Sequence, residues 1–270
     1  MKLRYVLYHG DCEKALKKLP SRNVDLIFSS PPYFIMRGEM EYESYEVYLE
    51  KMRRIVDELY RVLDIGRIIA INMSDYILDG KRYDLPFEWH NMLKEAGFTY
   101  RDTIIWEKPG ELATIGAGKM ASNLLKHKLP MYFSPNRVHE YIHVFSKGDV
   151  RIQKYNQKVM EMSRIDVSPK SDFIRSVWHI APRQDKEHPA VFPLELPLRI
   201  IKLYSYAGET VLDPFGGTGT TGKAAKMLNR SAILCEIEDK YVARIKREIG
   251  WGEMSVTSDI EYEYVYEVVE

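Results

Sequence analysis

Hydrophobic positions along this chain recur at two periods, and the alternation between them sets the expected architecture. Residues 5–9 and 24–29 are short apolar runs that read as strands. The first is followed by a Gly10-Asp11 turn and a short helix over 12–19 that Pro20 ends. Between 45 and 63 the apolar residues Tyr48, Leu49, Met52, Ile55, Val56, Leu59, Val62 and Leu63 repeat at helical spacing, which predicts a helix with that stripe in the core. Residues 67–72 predict a buried strand, 87–96 a helix, 98–108 a strand and 140–146 another strand. Regularity returns with a helix over 193–206, a strand over 210–212, a helix over 219–228, a strand over 232–235 and a helix over 241–249. Residues 262–269 alternate as an edge strand or a partner contact would. Strands alternating with helices imply an α/β fold, a mostly parallel sheet with helices on both faces. With no repeat and no separating linker, residues 1–270 are expected to form one domain.

Two stretches lack either period. Residues 109–137 are rich in Gly, Lys and Asn, and residues 147–175 are basic with Tyr155, Phe173 and Trp178 interleaved. The chain carries no net charge, yet from Lys108 to Arg183 it holds 13 Lys and Arg against 6 Asp and Glu, so that segment is +7 and the remainder −7. A basic middle on an acidic body suits a polyanion that docks on one face, and residues 109–180 are expected to carry its recognition. Hydrophobic content of 45% and charged content of 29% describe a globular chain. No run reaches the roughly 18 apolar residues of a membrane span, and no leader is apparent, so a cytoplasmic protein with no membrane partner is expected. Two cysteines, Cys12 and Cys235, are too few for a disulfide framework or a Cys-rich zinc site, and no metal is expected. The charged fraction points to a thermophilic source. Monomer and dimer both remain open.

The apolar run 24–28 ends in Ser29-Ser30-Pro31-Pro32-Tyr33. A buried strand that ends in a polar turn exposes its C-terminal mouth, where open α/β sheets place their ligands. Pro31 and Pro32 offer no amide donors, so the Ser30 hydroxyl and nearby carbonyls can face a ligand as acceptors, with the flat Tyr33 ring beside them. That combination suits a planar base carrying an exocyclic amine. Far downstream, Asp213-Pro214-Phe215-Gly216-Gly217-Thr218-Gly219-Thr220-Thr221-Gly222 follows a strand and opens a helix. Gly217, Gly219 and Gly222 satisfy G-x-G-x-x-G, and Glu236 stands 19 residues after Gly217 at the end of the next strand. This is the spacing of a nucleotide site, with a carboxylate placed for ribose hydroxyls. A nicotinamide-dependent oxidoreductase is one reading of it. Against that reading, only 48 residues follow Gly222, and Asp213 before the glycines would repel a pyrophosphate but pair with an ammonium. A ligand with an amino-acid end and a nucleoside end fits better, and S-adenosyl-L-methionine has both.

Ser30-Pro31-Pro32-Tyr33 early and Asp213-Pro214-Phe215-x-Gly217-x-Gly219-Thr220 late resemble the amino-methyltransferases of nucleic acids, in the permuted order with the catalytic motif first. Gly10-Asp11, the stretch from Glu140 to Lys147, and His188-Pro189-Ala190-x-Phe192-Pro193 resemble further motifs of that family, so the likeness spans nearly the whole chain. The resemblance implies a Rossmann-like methyltransferase fold with a circularly permuted motif order, and S-adenosyl-L-methionine as cofactor. It also implies roles for single residues. Asp213 and the loop through Pro214, Phe215, Gly217, Gly219 and Thr220 would hold the methionine part, Glu236 the ribose, Asp11 the adenine amino group and Phe192 an adenine face. Ser30, Pro31, Pro32 and Tyr33 would hold the target base. Ser in the first motif position is associated mostly with N4 of cytosine and Asp with N6 of adenine, so cytosine is favoured and adenine is the alternative. Attack at carbon 5 would need a cysteine nucleophile, and neither cysteine is suitably placed. DNA is the expected partner, and a structured RNA such as ribosomal RNA the alternative.

Overall fold

The computed structural model describes residues 1–34, 42–78, 81–108, 128–131, 137–183, 185, 191–255 and 259–269. In chain order its elements are β1 (Lys2–Gly10), α1 (Cys12–Lys18), β2 (Val24–Ser29), α2 (Tyr45–Val62), β3 (Leu63–Met73), β4 (Tyr76–Leu78), β5 (Lys81–Tyr83), α3 (Leu85–Glu95), β6 (Thr99–Glu107), β7 (His139–Ser146), α4 (Gln157–Met162), β8 (Val177–His179), α5 (Glu195–Tyr204), β9 (Thr210–Asp213), α6 (Thr220–Met227), β10 (Ser231–Glu236), α7 (Asp239–Ile249) and β11 (Glu261–Val269). Nine strands form one sheet in the order β11-β1-β10-β9-β2-β3-β7-β6-β8. Within it β7 alone is antiparallel to its neighbours β3 and β6. Strands β4 and β5 form a separate hairpin.

The apolar runs read from the sequence are the central strands, buried on both faces as a parallel sheet requires. One face packs on α1, α2 and α3 through residues such as Leu16, Met52, Leu59 and Trp89. The other packs on α5, α6 and α7 through Ile200, Ala224, Ala225 and Ile245. Capping side chains start the first two helices. The Asp11 side chain accepts from the amides of Glu13 and Lys14 at the head of α1, and Ser44 accepts from Val47 at the head of α2. All of the α2 stripe from Tyr48 to Val62 is buried. At its C-terminal end Lys147 donates to the carbonyls of Tyr60 and Leu63 at 2.5 and 2.7 Å, groups that a helix end leaves without internal partners.

The helix after β2 covers one face of the sheet and the helix after β9 covers the other, while β2 and β9 lie side by side with Leu26 opposite Val211 and Ile27 opposite Leu212. The connections therefore part at this pair, and a crevice opens at its C-terminal edge, the switch point where doubly wound sheets bind ligands.

The β4–β5 hairpin and α4 have no counterpart in the periodicity. Strands of three residues are too short to show a period, and α4 has six residues, none of them buried. Glu261–Val269 is indeed an edge strand, paired in parallel with β1 along its length up to Gly10 opposite Val269. The two irregular basic segments part company. Because β7 runs against the sheet, it starts at the edge where β6 ends and finishes at the opposite edge. The segment after it is tied there. Tyr155 donates to Glu209 at 2.5 Å, Ser163 accepts from the Ala207 amide at 2.8 Å, and Lys158 pairs with Asp259, all just ahead of the starts of β9 and β11. Phe173 and Trp178 are core residues, beneath the Arg199 guanidinium at 5.4 and 5.3 Å from their ring centres, and not an exposed stacking surface. The earlier segment is joined to the ligand-facing edge, and most of 109–137 lies outside the described residues, as do His188-Pro189-Ala190 of the sequence motifs. Among the described residues no helix is long and apolar enough to cross a membrane.

Candidate functional site

The switch-point crevice is a cavity open to solvent at its mouth. Its walls are the ends of β1, β10, β9 and β2 with the loops that follow them. Of the residues singled out in the sequence, Asp11, Ser30, Pro31, Pro32, Tyr33, Phe192, Pro214, Phe215, Gly217, Thr220 and Glu236 all line it. Two motifs some 180 residues apart in sequence thus face one another across a single space.

Asp213 and Gly219 do not line it. Asp213 is 1% exposed, behind the glycine loop and not in the wall where an ammonium could reach it directly. Its Oδ1 accepts from the Ser29 hydroxyl at 2.5 Å and from the Phe215 amide at 3.1 Å. Burial pushes its carboxyl up, and those two donors work against that shift. The Ser29 contact joins the end of β2 to the end of β9, so it locks the proline turn and the glycine loop into one register. Gly219 opens α6 at φ +81, where a Cβ would stand 3.1 Å from the Ile245 Cα. With no side chain capping α6, its first amides are left for a ligand anion.

Glu236 ends β10 with its carboxylate in the wall. Oε2 accepts from the Gly217 amide at 2.7 Å, and Oε1 accepts from the amides of Ile237 and Glu238 at 2.9 Å each. Even so, burial pushes its carboxyl up to about 7. Just past the end of the neighbouring strand β1, Asp11 turns Oδ2 to the Lys51 ammonium at 2.7 Å. Burial works to raise the Asp11 carboxyl, but Lys51 and the α1 amides outweigh it and hold it below the ordinary carboxylate range. Phe192 packs edge-on against the buried Phe28 ring, centroids 5.5 Å apart. The Tyr33 hydroxyl accepts from the Ser74 amide at 3.2 Å, and its ring lies 5.3 Å from that of Tyr76. These two contacts fix the ring plane beside Ser30.

Sequence reasoning missed part of the wall. Lys51 and Met52 reach it from α2, where the stripe reads as core and a lysine beside it carries no motif. Cys12 and Cys235 also line it. Burial raises both thiols, so neither offers a thiolate nucleophile.

The model of a family described as DNA methylase matches residues 24–247. M.MjaI, a type II methyltransferase of Methanocaldococcus jannaschii, is 30% identical over 95% of this chain and 94% of its own. M.BglII, a type II methyltransferase of Bacillus subtilis, is 29% identical over 87% of this chain and 66% of its own. Among solved structures, TTHA0409 of Thermus thermophilus, a proposed DNA modification methylase in complex with S-adenosyl-L-methionine, superposes with a TM-score of 0.72 at 28% identity, covering 97% of this chain and 99% of its own. The cytosine-N4-specific PvuII DNA methyltransferase shares the fold, with a TM-score of 0.71 at 19% identity over 93% of this chain and 90% of its own.

Proposed function

This chain belongs to the DNA methylase family, S-adenosyl-L-methionine-dependent enzymes that methylate the exocyclic amine of cytosine or adenine, and within that family we propose that it modifies N4 of cytosine in DNA. Membership sets aside the nicotinamide reading of the glycine loop. The observation that carries the cytosine reading is Ser30 at the head of Ser30-Pro31-Pro32-Tyr33, facing the glycine loop across the cavity.

The residues present fit the cofactor. The uncapped amides of α6 suit its carboxylate, Glu236 its ribose hydroxyls, Asp11 its adenine amine and Phe192 a face of its base. Asp213 acts on it through the loop that it braces. When bound, the cofactor supplies a methyl group activated by attachment to a sulfonium. The chain's own task is to hold the amine. An exocyclic amine is a weak nucleophile because its lone pair is delocalised into the ring. Acceptors at the Ser30 hydroxyl and the Pro31 carbonyl draw its hydrogens out of that conjugation, and Tyr33 fixes the plane of the base. Positioning then supplies much of the acceleration. The base has to leave its stack to reach this depth, which is the usual condition for chemistry on a duplex.

The test is to incubate the protein with methyl-labelled S-adenosyl-L-methionine and either DNA or unmodified ribosomal subunits, digest to nucleosides and identify the labelled product. N4-methyldeoxycytidine is expected. A methylated cytidine would move the substrate to RNA, and label in adenine would show that Ser30 does not select cytosine. Ser30→Ala should lower turnover at least tenfold, roughly the loss of one transition-state hydrogen bond, with cofactor affinity unchanged. Equal losses in both would remove Ser30 from the chemistry.

A further inference from the structure

The reacting methyl has to face Ser30 at the end of β2, so the nucleoside end of the cofactor extends across β9 and β10 toward β1, where Asp11 stands beside Glu236 through the His9–Glu236 pairing of their strands. This placement rests on the methylase reading above. At that end of the cavity the wall holds a second charged group. Lys51 reaches over from α2, and its Nζ lies 2.7 Å from Asp11 Oδ2 with both residues in the lining.

The two oxygens of Asp11 do different work. Oδ1 is committed to the head of α1, accepting from Glu13 at 2.8 Å and Lys14 at 3.3 Å. Oδ2 is the one left for a ligand, and among the described residues it is shared only with Lys51. An ammonium has three hydrogens, and Asp11 takes one. Lys51 lines the cavity with its side chain 23% exposed, and among the described residues Asp11 is its one hydrogen-bond partner. An acceptor and a donor are thus held side by side.

Adenine presents the complementary pair on its Watson–Crick edge, an amine donor next to an unprotonated ring nitrogen. Hypoxanthine reverses both, with a carbonyl in place of the amine and a proton on the ring nitrogen. We propose that Lys51 is a cofactor-binding residue that reads the adenine edge together with Asp11, donating to the ring nitrogen while Asp11 Oδ2 accepts from the amine. It selects the cofactor's base, and it also draws α2, the helix after the catalytic strand, onto the nucleoside.

The experiment compares binding of S-adenosyl-L-homocysteine with that of S-inosyl-L-homocysteine by calorimetry, for the wild type, Lys51→Met and Lys51→Arg. The wild type should prefer the adenosyl compound strongly. Lys51→Met should lose about tenfold in affinity for it, the scale of one charge-assisted hydrogen bond, and lose much less for the inosyl compound, so that the preference narrows. Lys51→Arg should keep most of the preference. In turnover, KM for S-adenosyl-L-methionine should rise in Lys51→Met relative to the wild type while KM for DNA is unchanged. Equal loss of both compounds in Lys51→Met would make Lys51 a prop for α1 and α2 only, and no loss of either would remove it from the site; both results overturn the proposal. The product assay on wild type runs in parallel, so a failure at Lys51 leaves the methylase reading standing, and an unexpected methylated base leaves the Lys51 result intact.

Discussion

Glu236 combines three backbone donors with near-complete burial, and the balance makes it a titrating group near neutrality. The residue is 8% exposed, and its carboxylate accepts from Gly217, Ile237 and Glu238. Burial still dominates and pushes the carboxyl from 4.5 up to about 7. Between those values the folded protein holds a proton that the unfolded chain has released. Stability is therefore fully present below 4.5, falls as pH rises and levels off above about 7. At ~1.4 kcal/mol per pH unit the total is about 3 kcal/mol. Glu236→Gln removes this titration. The melting temperature of the wild type minus that of the variant should fall between pH 5 and 8, by roughly 6–12 °C at 2–4 °C per kcal/mol for a chain of this size. Differential scanning fluorimetry across that range reads the difference directly. In the proposed site the cofactor's hydroxyls would donate to the carboxylate and favour its charged form, so binding near pH 6 should release a proton. Calorimetry in two buffers of different ionisation enthalpy detects it. Melting curves that stay parallel for the two proteins, together with no proton release, would refute the reasoning.

Ser29→Ala removes a hydroxyl that donates to the buried Asp213 carboxylate, at a cost of about 1.5–3 kcal/mol, and should weaken cofactor binding as β2 and β9 lose their link. Burial raises the Asp213 carboxyl and the Ser29 hydroxyl works against that rise by favouring the charged form, so the penalty should shrink toward acid as the group takes up its proton; a penalty that grew with acid would contradict the assignment. Gly10→Ala places a Cβ 2.3 Å from the Val269 carbonyl at φ +144, so β11 has to move. A loss of about 1–3 kcal/mol should follow, with faster hydrogen exchange in β11 than in β9. Unchanged exchange in β11 would show that the edge strand does not depend on this close approach.

Much of the fold is legible in the chain because the central strands are apolar on both faces and the helices carry a stripe on one. The α2 stripe from Tyr48 to Val62 is buried at every position that the periodicity marks. Legibility fails where burial is partial or an element is short, as in β4, β5 and α4. It also fails where composition stands in for position. Phe173 and Trp178 sit among basic residues in sequence, yet in space they are core. Lys147 looks like one more surface cation, but it closes the end of α2.

The sequence by itself determined the two motifs, because proline, glycine and the residues beside them act through local backbone geometry, and strand and helix periods tell where those turns stand. Tertiary structure decided what faces the ligand. Asp213 and Glu236 both end apolar strands beside the same glycine loop, but strand packing buries Asp213 behind the loop and turns Glu236 into the wall. The reversal of β7 sets its start at the ligand edge, beside the end of β6, and its end at the far edge, where the basic segment that follows it is tied, a separation that depends on strand direction and leaves no mark in composition. Lys51 meets Asp11 only because α1 and α2 pack on the same face of the sheet, 40 residues apart in the chain and 2.7 Å apart in space.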